Sequence, residues 1–106
     1  MSSPFIVVIT TTSKKEEAKK IAQTLLTEKL AGCVQIVGPI NSYYHWESKL
    51  CEDDEWICLI KSNQENYQAL EKRIQEIHNY EVPEIISLPI QDGNQSYLSW
   101  LNNQLQ

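Results

Sequence analysis

A chain of 106 residues is sized for one domain with a single two-layer core. Nine Lys plus Arg against fourteen Asp plus Glu leave a net charge of −5, with Arg73 the only arginine; that balance excludes a nucleic-acid role, which needs a basic phosphate-binding face. The apolar runs are strand-length and Met1-Ser2-Ser3-Pro4 carries no basic-then-apolar leader, so no membrane segment is expected and the chain reads as cytoplasmic.

Phe5-Ile6-Val7-Val8-Ile9 is a continuous apolar run, the pattern of a strand covered on both faces or lying at the centre of a sheet. Thr10-Thr11-Thr12 extends it. Ser13-Lys14-Lys15-Glu16 fits a capping box, and Ala18, Ile21, Ala22, Leu25, Leu26 and Leu30 mark one face of a helix that Gly32 would stop in a left-handed conformation. From Cys33 to about Trp46 the chain is β-rich, with a bulge or kink expected at Gly38-Pro39. Glu47-Ser48-Lys49 is the turn of a hairpin whose second strand runs through Trp56-Ile57-Cys58-Leu59-Ile60 to about Lys61. The acidic run Glu52-Asp53-Asp54-Glu55 predicts an irregular tip. It lacks the alternating ligands and glycine of an EF-hand, so it reads as a solvated stretch.

Ser62-Asn63-Gln64-Glu65 fits a second capping box, and Tyr67, Leu70, Ile74 and Ile77 predict a helix ending near His78-Asn79. Val82 to Ile90 returns to strand character, with Pro83 and Pro89 confining it to an edge or to strand ends. After Asp92-Gly93, Tyr97, Leu98, Trp100, Leu101 and Leu105 fit a closing helix. The order β-α-β-β-α-β-α predicts one α+β domain over residues 1–106. Its architecture is a ferredoxin-like sandwich, an antiparallel sheet under two helices, with an extended hairpin and a C-terminal helix.

An uninterrupted strand from Cys33 to Trp46 spans ~45 Å, whereas a compact domain of this length, with a radius of gyration of ~13 Å, is only ~33 Å across. The hairpin should therefore overhang the body, carrying Tyr43, Tyr44 and Trp46 with Trp56 on the returning arm. Such a ribbon aggregates unless covered. A closed homo-oligomer is expected, with these four aromatics at its interface and His45 packed among them. Cys33, Cys51 and Cys58 are odd in number, have no C-x-x-C spacing, and read as free thiols in a reducing compartment. Asn94-Gln95-Ser96 matches a glycosylation sequon by chance.

Leu30-Ala31-Gly32-Cys33-Val34, Ser42-Tyr43-Tyr44-His45-Trp46-Glu47, Ile60-Lys61-Ser62, His78-Asn79-Tyr80 with Val82-Pro83-Glu84-Ile85-Ile86, and Tyr97-Leu98-Ser99-Trp100-Leu101 together resemble the CutA family of divalent-cation tolerance proteins, in order and over almost the whole chain. The resemblance implies a cytoplasmic homotrimer joined through the long hairpin and a likeness in fold to PII signalling proteins. It also implies a role in tolerance of copper and other divalent metals, and no established reaction. Some members carry a cysteine near the end of the first strand and a second histidine before the histidine-tyrosine motif. Here Thr10 and Ile77 stand at those positions, which weakens a Cu(I) site of that kind, since a soft ion favours thiolate and imidazole.

The corner His78 to Ile86 carries the candidate chemistry. On residue chemistry alone, a protonated His78 at a helix C-terminus meets the dipole; with the resemblance, His78 and Glu84 become metal-ligand candidates for copper or another divalent cation, to be completed by a neighbouring copy. No cofactor is required. An alternative is a PII-like signalling trimer whose inter-subunit pocket, from Lys61, Tyr80, Glu84 and Cys33, takes a small anionic effector. Small copper chaperones, acylphosphatases and RNA-recognition domains share the element order. They lose on a missing C-x-x-C, on Arg73 lying within a helix, and on charge with no ribonucleoprotein motif.

Overall fold

The computed structural model describes residues 3–106. Its elements are β1 (Phe5–Thr12), α1 (Lys15–Thr27), β2 (Cys33–Trp46), β3 (Lys49–Asn63), a 3-10 turn (Gln64–Asn66), α2 (Tyr67–Ile77), β4 (Ile86–Pro89) and α3 (Gln95–Asn103). The sheet order is β2-β3-β1-β4 and every neighbouring pair is antiparallel. This is the expected ferredoxin-like α+β sandwich, with β4 on an edge and Pro89 at its end, as a residue without a ladder N–H requires.

Side chains alternate across the sheet, and the two faces have different fates. Ile6 and Val8 of β1 with Cys58 and Ile60 of β3 point toward α1 and α2, where they meet Ala18, Ile21, Leu25, Leu70 and Ile74 in one buried cluster. The opposite set faces away from the helices. Val7 pairs with Lys61 and Leu88, Ile9 with Leu59 and Ile86, and Val37 with Ile57. Ile86 and Leu88 remain 48% and 44% exposed. Of the two readings of the apolar run, a strand covered on both faces or one inside the sheet, the second holds: β1 lies between β3 and β4, with α1 and α2 covering one face.

Local signals were met by neighbouring residues in several places. Lys14, not Ser13, is the N-cap of α1 and makes no side-chain cap; Ser13 Oγ donates to Glu17 instead. The left-handed residue after α1 is Lys29 (φ 59°), whereas Gly32 has no positive φ. Gly32 is small for another reason: a Cβ there would lie 2.6 Å from Leu101 Cδ1, so its bareness lets α3 dock. Ahead of the second helix, Asn63 caps the 3-10 turn, its side chain accepting from Asn66 N, while Asn66, the N-cap of α2 itself, makes no side-chain cap; Ser62 Oγ is turned inward and donates to Leu30 O at 2.6 Å. The last strand is shorter than the pattern from Val82 to Ile90, because 82–85 form the loop that leaves the corner.

The hairpin gives the molecule its length, with extents of 45 × 27 × 22 Å. Its ladder shifts register between Val37 and Ile40, at the expected Gly38-Pro39 bulge. Beyond the bulge the pairing is regular to the tip, contrary to the irregular acidic stretch expected. Cross-strand partners explain this: Asn41 donates to Asp54 (2.7 Å), Tyr43 to Glu52 (2.9 Å) and Tyr44 to Asp53. Three of the four carboxylates are thus held by hydroxyl or amide donors on the opposite arm. Glu47 and Ser48 close the turn with φ of 51° and 65°, the left-handed pair of a type I′ hairpin.

Candidate functional site

The corner after α2 is tied to the sheet by a chain of three hydrogen bonds. His78 Nε2 lies 2.7 Å from Thr11 O, Tyr80 N–H donates to His78 Nδ1 at 3.0 Å, and Tyr80 O–H donates to Glu55 Oε2 at 2.6 Å. Since Nδ1 accepts, the ring proton sits on Nε2 and is given to the Thr11 carbonyl. His78 is thereby a bridge between β1 and the corner, in place of a protonated ring meeting the helix dipole, and both its nitrogens are engaged within the chain. The His78 and Tyr80 rings lie 4.9 Å apart.

Tyr80 borders an open cleft of about 740 Å³ where the hairpin leaves the body. Ser42, Tyr44 and Trp46 from β2, Cys51 and Glu55 from β3, and Thr11 from β1 form its floor and walls, with Glu81 and Glu84 on the loop side. Burial, then the hydrogen bond to Glu55, pushes the Tyr80 phenol up; for Tyr44 the bond to Asp53 comes first. These phenols stay protonated donors.

The sequence-derived candidates separate into two places. Tyr80 and Glu84 share the cleft. Lys61 stands opposite Cys33 in the ladder, its Nζ bonded to Gln35, six residues from Glu55 along β3 and so ~20 Å away. Cys33 neighbours Tyr97, whose phenol is raised by burial and then by that thiol. Thr10 is fully buried on the helix side with Oγ1 unpartnered, and Ile77 packs against the core. The hairpin aromatics also divide. Tyr43 and Trp46 are 64% and 55% exposed, whereas Trp56 is half-buried over Gly38, where a Cβ would sit 2.5 Å from its ring, with Lys15 Nζ 5.3 Å from the ring centroid.

Among the described residues no three His, Cys, Asp or Glu side chains group to hold a metal ion, and no helix is long and apolar enough to cross a membrane. Residue reading missed Glu55, the most buried carboxylate of the acidic run. The one signal for it was position, as the last acid before the apolar core of β3.

The model of the family described as CutA1 divalent ion tolerance protein matches residues 6–104. The chain belongs to the CutA1 family. The chloroplastic CutA protein of Arabidopsis thaliana is 44% identical over 100 residues, which are 94% of this chain and 55% of that protein, so the chain spans just over half that relative's length. The divalent-cation tolerance protein CutA of Thermus thermophilus is 43% identical over 84 residues, 79% of this chain and 82% of that one. The crystal structure of CutA1 from Oryza sativa superposes with a TM-score of 0.95 at 43% identity, covering 99% of this chain and 96% of that one. CutA1 relatives thus share the α+β fold and are named for tolerance of divalent cations.

Proposed function

We propose that this CutA1 chain works as a homotrimer in the cytoplasm, in tolerance of or response to divalent metal ions, copper among them, and catalyses no reaction. The observation that supports association is the open sheet face, where Val7, Ile9, Val37, Ile57, Leu59, Ile86 and Leu88 lie on the side away from the helices. A face of that composition is stable only when another layer covers it, and the exposed hairpin aromatics continue it. The proposed number of copies, three, follows the family resemblance.

The metal ion is cargo, and one subunit alone is a poor host for it. Both ring nitrogens of His78 are engaged, and the hairpin carboxylates are occupied by phenols and an amide. A site using His78 and Glu84 would need ligands from a neighbouring copy and release of one His78 hydrogen bond. The PII-like alternative would likewise join Lys61 and Cys33 of one copy to Tyr80 and Glu84 of the next around an anion.

Calorimetric titration of reduced, metal-free protein with Cu(II) and Zn(II), on wild type and His78→Ala, tests the metal reading. Saturable binding lost in the variant is expected; no binding, or equal binding in both, removes it. Light scattering at micromolar concentration should give three times the chain mass, and a monomer would sink the trimer.

A further inference from the structure

We propose that the cleft at the base of the hairpin binds a small organic cation, a primary or quaternary amine of metabolite size. Glu55 is only 8% exposed, yet it lines the cleft. Its Oε2 accepts from Tyr80; among the described residues Oε1 makes no hydrogen bond and both ion pairs belong to Arg73. A carboxylate held that deep lacks the cation that would offset its desolvation. An ammonium group supplies the charge and, when primary, the N–H donors.

The walls suit the same guest. Tyr43, Tyr44, Trp46 and Tyr80 bring aromatic rings to the cleft, whose π faces attract a cation, and the lining contains no Lys, Arg or His. Glu81 and Glu84 add negative charge on the loop side. Within one subunit an anion finds no counter-charge in this lining, and a bare divalent ion finds no group of three ligands among the described residues. A volume of about 740 Å³ lies within the range of small-molecule sites, ~300–1,000 Å³. The site shares Glu84 with the metal reading and its aromatic walls with the proposed trimer interface, but it needs no residue from a second copy.

The test is calorimetric titration of the reduced protein with choline and with putrescine, acetate serving as the anionic control. Wild type is compared with Glu55→Gln, which keeps an acceptor for Tyr80 and removes the charge, and with Trp46→Leu at an exposed wall. Light scattering is run on the same samples. Saturable amine binding by wild type is expected, weakened about tenfold or more by Glu55→Gln and severalfold by Trp46→Leu, with no saturable acetate binding. Absence of amine binding by wild type would overturn the proposal, as would equal affinity in Glu55→Gln or preference for acetate. A monomer that still binds choline would refute the trimer and leave this site standing, so the two failures are distinguishable.

Discussion

Cys58 shows what a single buried thiol does to the pH response. It is fully enclosed beneath α1, with Sγ 3.9 Å from Ala18 O, and burial pushes it up from 9.0 to about 11. The folded state therefore keeps a proton that the unfolded chain has lost above pH 9. Linkage gives the sign: this contribution to stability is complete below pH 9 and is lost as pH rises toward about 11. Thermal melts of wild type should fall more steeply between pH 9 and 10 than those of Cys58→Ala; parallel slopes would show that the thiol carries none of the response. Ser62 is a companion case at the same scale. Its buried hydroxyl satisfies Leu30 O, so Ser62→Ala is expected to cost about 1–3 kcal/mol by orphaning that carbonyl, measured as a lower denaturant midpoint at unchanged m.

At the scale of the element, the hairpin turn is the improvable part. Glu47 and Ser48 both occupy left-handed φ, where side chains other than Asn, Asp or Gly are strained. Replacing the pair with Asn-Gly relieves left-handed strain of about 1–2 kcal/mol per residue, offset in part by the freedom glycine adds to the unfolded chain, so a net gain is expected, visible as a raised melting temperature; an unchanged one would mean the tip is held by its flanking ladder alone. Elements were legible wherever periodicity was long: β1, both main helices, the hairpin and α3 all stand where the apolar spacing put them. Caps were less so: Ser13 turns to Glu17 and leaves the start of α1 without a side-chain cap, and Ser62 turns inward while Asn63 beside it caps the 3-10 turn. The regular acidic stretch of β3 was not legible at all, since its stability depends on Asn41, Tyr43 and Tyr44 lying opposite, a register known only once the bulge is placed. The candidate site was readable as a corner, through His78, Tyr80 and Glu84. Its connection to Glu55 spans 25 residues and no local pattern encodes it.

For the whole molecule, the decisive asymmetry is a sheet with α1 and α2 on one side only. Leu59→Lys places a charge on the bare side, opposite Ile9 and Gln35, where the folded subunit tolerates it and an apposed copy does not. Loss of the proposed trimer with the secondary structure retained is expected, measured by light scattering alongside far-ultraviolet circular dichroism; an unchanged mass would place the interface elsewhere. The same asymmetry distributes the three tryptophans usefully. Trp46 stands near the hairpin tip, Trp56 lies half-buried on Gly38 beneath Lys15, and Trp100 sits on α3, 5.6 Å from Tyr97. Kept one at a time, they would emit from three polarities: a blue shift of Trp46 alone would signal a covered ribbon, one of Trp100 alone a covered helix, while Trp56 would report the fold beneath both.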